Sequence, residues 1–154
     1  MARWVGYDAV PELVAQARSN APYAAFHTWN GRGVIPMPLR GPFDLIVSRR
    51  GPTSVILRLP ELAAPDAAFL DVGPRRTVPA VPERLAAVGW AVQGEWRVSV
   101  PARVPTRADW VTRCKWMNEP ARVPDWDAHA GPGGLPYREE RYVVLAAPSP
   151  LSPA

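Results

Sequence analysis

Cysteine is almost missing from this chain of 154 residues. Cys114 stands alone, so no disulfide can form within the chain, and a reducing cytoplasm is the expected compartment. Histidine is nearly as scarce: His27 and His129 lie far apart. With one cysteine they lack the ligand spacing of a zinc site, and no metal is expected. No apolar run approaches the ~18–20 residues that cross a bilayer, so no membrane partner is expected. Met1-Ala2-Arg3-Trp4 lacks the apolar core of a signal peptide. The G-x-S-x-G, P-loop and H-E-x-x-H patterns are absent too, which removes the commonest hydrolase and phosphate-loop readings. Lysine occurs once, as Lys115, so the formal charge of +4 rests on arginine. Arginine's planar fork suits phosphates and carboxylates. Alanine and proline in abundance, with arginine in place of lysine, also fit plain GC-rich coding bias, and no basic run is present.

Proline is abundant, with 20 residues that cut the chain into short elements. The apolar share of 47% is ordinary for a globular domain. Arg3 to Asp8 reads as a strand that ends in an acid and runs directly into a helix opened by Pro11, with Leu13, Val14 and Ala17 facing a sheet. Tyr23–Thr28 reads as a second strand. The segment from Trp29 to Pro42 connects it to Phe43–Ser48, whose continuous apolar core predicts a strand covered on both faces. A turn at Arg49–Pro52 precedes a short helix from Thr53 to Leu62, then a buried strand, Ala67–Val72. Pro82 opens a helix stopped by Gly89 in the left-handed cap conformation, and Trp90 to Val100 is a long strand. A helix from Thr106 to Asn118, capped by the Thr106 hydroxyl, leads into a loop over 119–138. Glu139–Ala147 closes the sheet. The pattern predicts one α/β domain over 1–148, with an insertion at about 101–138 and a frayed tail over 149–154.

Asp8 is the residue with the most specific position. In nucleotide-binding α/β folds a carboxylate at the carboxyl end of a strand accepts hydrogen bonds from ribose hydroxyls. Such an acid normally follows a glycine-rich strand–turn–helix unit by ~20 residues, and here only seven residues precede it. In this order the elements resemble a class I S-adenosylmethionine-dependent methyltransferase that begins at its second strand. Val5-Gly6-Tyr7-Asp8 with Pro11 to Arg18 is similar to the family's second strand and helix. Phe43–Ser48 resembles its fourth strand, and Val81–Trp90 with Glu139–Ala147 resembles its closing helix, strand and final antiparallel strand.

The resemblance implies a Rossmann-like, mostly parallel sheet with a final antiparallel strand and the first strand–helix unit missing. It also implies S-adenosylmethionine as co-substrate. Asp8 would bind the ribose hydroxyls, Trp29, Asn30 and Gly31 would read the adenine edge, and Ser48 and Arg49 would line the donor and acceptor side. The family commonly has an acid where Asn30 stands and a hydroxyl where Val10 stands. In the family the first strand lies centrally, and its glycine-rich turn holds the donor's methionine end. Three explanations remain open. Met1 is a truncated start; or the chain is a relic whose second and fourth strands pair directly; or another chain donates the strand.

Other candidate groups have plainer readings beside them. His27 is a base or a structural strand residue. Asp125, Asp127 and His129 form a carboxylate–imidazole set for proton removal, or a solvated loop. Trp110, Trp116, Trp126 and Tyr137 line a lid over an aromatic or apolar substrate, or staple the insertion down. Arg49, Arg50, Arg75 and Arg76 with exposed tryptophans would serve a nucleic-acid surface, which ranks last because the pairs are so short. The expected activity is methyl transfer to an acceptor the sequence does not name, by a domain inactive alone. The alternative is a non-catalytic binding or dimerisation module, a homodimer formed through exposed sheet edges. Transfer from an activated sulfonium needs alignment more than a catalytic group, so no catalytic residue is assigned.

Overall fold

A computed structural model describes residues 3–49, 53–73 and 80–150, the side chains of Thr53 and Ala80 excepted. The chain alternates strands and helices as its sequence pattern predicts. β1 (Val5–Asp8), α1 (Pro11–Asn20) and β2 (Ala25–Thr28) come first. β3 (Phe43–Arg49), a 3-10 turn (Thr53–Arg58), α2 (Leu59–Leu62) and β4 (Ala63–Gly73) follow. Then come α3 (Ala80–Ala87), β5 (Trp90–Val104), α4 (Arg107–Trp116), α5 (Asp125–His129) and β6 (Leu135–Pro148). Gly89 follows α3 at φ 76°, the left-handed cap expected of it. The tail beyond Pro150 and the turn over 50–52 lie outside the described residues.

The strands form two sheets rather than one. β1 and β2 pair in parallel, from Val5 opposite Ala25 to Asp8 opposite Thr28. The second sheet has the order β3-β4-β6-β5. β3 and β4 are parallel, but β6 enters antiparallel to β4, between it and β5. This sheet is mostly antiparallel, which corrects the expected mostly parallel one. The reason is position: a reversed strand placed inside a sheet, rather than along its rim, reverses ladders on both sides. Direct pairing of the Asp8 strand with the Phe43 strand does not occur.

Residues 1–96 with 142–154 form one compact unit, and residues 97–141 a second. The core of the first joins Val55, Ile56, Leu59 and Leu62 to Phe69, Leu85, Val144 and Ala146. These four residues after β3 are buried, on a 3-10 turn and the short α2 rather than on the single helix expected over Thr53 to Leu62. On α1 only Val14 is buried, while Leu13 is 49% exposed, against expectation. Leu13 lies one residue off the narrow stripe through Val14 and Ala17. Leu45 and Val47 of β3 are likewise about half exposed, so this apolar strand is not covered on both faces.

The second unit corrects the long loop. A 3-10 turn (Pro120–Arg122), α5 and the start of β6 occupy the range 119–138. The Thr106 hydroxyl accepts from the Asp109 N–H at 3.1 Å, capping α4 as predicted. Trp110 is buried; its Nε1–H donates to the Arg122 carbonyl at 2.9 Å, and its ring lies 5.8 Å from that of Tyr137. Trp126 and Tyr137 pack on the same cluster, with Val104, Cys114 and Leu135. Three of the four aromatics therefore build a small core, and Trp116 is exposed, so they do not form a lid.

Phe69 is fully buried in β4, so Phe69→Ala should cost about 3–5 kcal/mol, read as a lower urea midpoint by circular dichroism. Leu45→Ala, at a half-exposed position, should cost a small fraction of that. Asp71 of β4 sits opposite Ser48 of β3. Burial pushes its carboxyl above the ordinary 3.8, against the downward pull of the Ser48 hydrogen bond. A raised acid favours the folded state while protonated and loses that contribution as pH rises through its folded value. Asp71→Asn should therefore be more stable than the parent at pH 7, and the gain should vanish below about 3.8. Thermal melts across pH check the sign.

Candidate functional site

A cleft of about 450 Å³ opens between β1 and β3 within the first unit. Its wall on one side is β1 with the residues just after β2; on the other it is β3. Both strands bring their carboxyl ends to it, because in parallel units the chain leaves the sheet at that end.

Asp8 ends β1 and faces the cleft. Its Oδ1 accepts the Val10 N–H at 2.8 Å, which fixes the carboxylate against the start of α1. Oδ2 has no hydrogen-bond partner among the described residues. The Trp29 N–H donates to the Asp8 carbonyl at 2.9 Å, carrying the β1–β2 ladder one residue further and setting Trp29 and Asn30 beside the acid. The Trp29 ring is held by its Nε1–H bond to the Arg32 carbonyl at 2.8 Å and by the Tyr7 ring at 4.9 Å. Asn30 closes a small turn, its Oδ1 accepting the Arg32 N–H at 3.0 Å. Gly31 makes that turn possible at φ 75°, which a side chain rarely adopts. The Asn30 amide N–H groups remain free of partners among the described residues.

On the facing wall Ser48 is buried and Arg49 exposed. No described residue pairs with the Arg49 guanidinium. Tyr7 lines the cleft as well, and burial followed by the Asp8 charge pushes its phenol up. The cleft thus combines a fixed carboxylate with one free oxygen, an amide at a turn, an aromatic floor and an arginine. Such a set can take a polar, hydroxyl-bearing ligand with a flat ring, and its volume is that of ordinary small-molecule sites.

Of the six residues expected at a donor site, Asp8, Trp29, Asn30, Ser48 and Arg49 line this one cleft, and Gly31, next to Asn30 in the chain, is not in its lining. His27 is not in the lining; its Nε2 is buried without a partner among the described residues. His129 lies in the second unit, exposed, and both neighbouring acids are engaged elsewhere. Asp127 pairs with Arg107 at 3.2 Å and Asp125 with Arg122 at 3.1 Å, so the carboxylate–imidazole set does not form. Arg50, Arg75 and Arg76 lie outside the described residues. Tyr7, Leu45 and Val47 belong to the cleft and escaped the sequence reading. Their signal was the apolar strand run itself, which looks the same whether a strand faces a core or an open cleft. No group of three or more metal-ligating side chains occurs among the described residues, nor any helix long and apolar enough to cross a membrane.

No protein-family model matches the chain, and no curated protein matches it in sequence. Among solved structures it is similar to a functionally unknown protein from Deinococcus radiodurans R1. That chain is 62% identical over 94% of this chain and 68% of its own, with a TM-score of 0.73. A Bacillus halodurans protein assigned as a methyltransferase matches at 10% identity and a TM-score of 0.63, over 96% of this chain and 84% of its own. The 1,6-didemethyltoxoflavin-N1-methyltransferase of Burkholderia thailandensis, solved with S-adenosylhomocysteine, matches at 15% and 0.52, over 96% and 61%. At such identities the two methyltransferase matches speak for the fold alone. The chain belongs to the same family as the functionally unknown Deinococcus protein, and its fold is that of the class I S-adenosylmethionine-dependent methyltransferases.

Proposed function

We propose that the cleft between β1 and β3 binds the nucleoside end of S-adenosylmethionine, and that the protein serves methyl transfer to a small or macromolecular acceptor. The observation that carries this reading is the free Asp8 oxygen at the end of β1, beside Trp29 and Asn30. A carboxylate fixed by one oxygen and open at the other is suited to a pair of ribose hydroxyls. The Asn30 amide, beside the Trp29 ring, offers donors to an adenine edge. Arg49, which pairs with no other described residue, supplies a cation suited to a carboxylate, such as that of the donor's amino-acid end. The residues before Asp8 contain no glycine-rich turn for that end.

The sulfonium of the donor supplies the leaving group, and the chain's own residues need only hold and orient it. Calorimetric titration tests this without an acceptor. Adenosine and S-adenosylhomocysteine should both bind, and Asp8→Ala should weaken both at least about tenfold, as loss of a charge-assisted hydrogen bond does. Arg49→Ala should weaken only S-adenosylhomocysteine. Absence of heat with both ligands, or heat indifferent to Asp8→Ala, contradicts the reading.

A further inference from the structure

The second unit, residues 97–141, holds more cations than its acids engage. Arg97 donates to Glu140 at 2.6 Å, Arg107 to Asp127 at 3.2 Å, and Arg122 reaches both Glu119 and Asp125. Arg113 and Arg141 pair with the buried Glu139. Asp109 accepts the Thr106 hydroxyl at 2.6 Å, so every carboxylate of the unit is taken. Arg103, Arg138 and the Lys115 ammonium form no ion pair among the described residues. Arg103 and Arg138 line one open cavity of about 570 Å³, together with Pro101, Ala102, Pro136 and Tyr137. Lys115 is not in that lining.

Both arginines are set by local contacts. The Arg138 Nε–H donates to the Ser99 Oγ at 2.8 Å and its Nη2 to the Ser99 carbonyl at 3.1 Å, which leaves Nη1 without a partner among the described residues. The Arg97 hydrogen bond holds the Glu140 carboxyl below the ordinary 4.5, and the Arg138 charge adds a smaller pull. The Arg103 guanidinium stands over Gly133, where a Cβ would meet Nη1 at 2.9 Å. Tyr137 is anchored from behind by the Trp110 ring, and Pro101, Ala102 and Pro136 are the apolar walls. We propose that this cavity binds a small phosphate monoester through its phosphate, with the apolar part of the ligand on the proline walls. A phosphate monoester carries about −1.5 to −2 charge at neutral pH and three acceptor oxygens, which matches two guanidinium forks. One carboxylate fills a single fork and leaves the other cation unanswered. A nucleic-acid backbone spreads single charges along a line, whereas these two cations share one cavity. The proposal rests on the second unit alone, and it stands whether or not the cleft between β1 and β3 binds a methyl donor.

Calorimetric titration of the full chain with phenyl phosphate, inorganic phosphate, succinate and a short single-stranded oligothymidylate tests it. Phenyl phosphate should bind most tightly of the four. Arg103→Ala should weaken it at least about tenfold, as loss of a charge-assisted hydrogen bond does. Lys115→Ala, which removes the same charge outside the cavity, should leave its affinity unchanged. If Arg103→Ala alters the circular dichroism, amide shifts in the unaltered chain decide: phenyl phosphate should move Ala102, Arg103, Tyr137 and Arg138. No binding of phenyl phosphate, or binding that ignores Arg103→Ala or falls equally with Lys115→Ala, overturns the proposal. So does inorganic phosphate binding as tightly, which makes the free ion the ligand, or tighter binding of succinate or the oligonucleotide.

Discussion

A β-strand has two hydrogen-bonding sides, and the organisation of this protein follows from two strands that use only one each. β1 spends its paired side on β2 and β3 spends its paired side on β4. Because neither reaches the other, the sheet divides and a cleft remains between the halves. The cleft is therefore a consequence of backbone pairing and not of a missing side chain. It also explains the exposure of Leu45 and Val47, apolar residues that a closed sheet would cover.

The same division places the polar groups. A parallel strand must leave its sheet at the carboxyl end, and there Asp8, Trp29-Asn30 and Ser48-Arg49 converge from three separate strands. Each is set by a local bond: Asp8 by the Val10 amide, Asn30 by the Arg32 amide, Ser48 by Asp71 across the β3–β4 ladder. The second unit has its own logic, with Trp110 as anchor and an arginine from the following turn stacked against it at 5.2 Å. Its aromatic residues hold the unit together and leave none but Trp116 for recognition.

Much of this was legible from the amino-acid sequence, for identifiable reasons. Pro11, Gly89 and Thr106 act locally, through a fixed φ, a left-handed cap and a hydroxyl acceptor, and each stands where those properties require. The converging residues at the strand ends could be named because a strand followed at once by a helix fixes which end is functional. What escaped was long-range. Nothing in Glu139–Ala147 says whether a last strand lies at the rim or between two others. Nothing in Phe43–Ser48 separates burial in a core from exposure to a cleft. The structure in 119–138 depends on Trp110 meeting the Arg122 carbonyl twelve residues away, a contact with no periodic signature.

The central claim is that the nucleoside end of a methyl donor sits at the carboxyl ends of β1 and β3. Backbone amide shift mapping on the isotopically labelled chain, with adenosine added, tests it most directly. The account predicts shifts concentrated at Asp8–Val10, Trp29–Arg32 and Ser48–Arg49, with the amides of α4 and α5 unmoved. Shifts centred elsewhere, or none at saturating ligand, would contradict it.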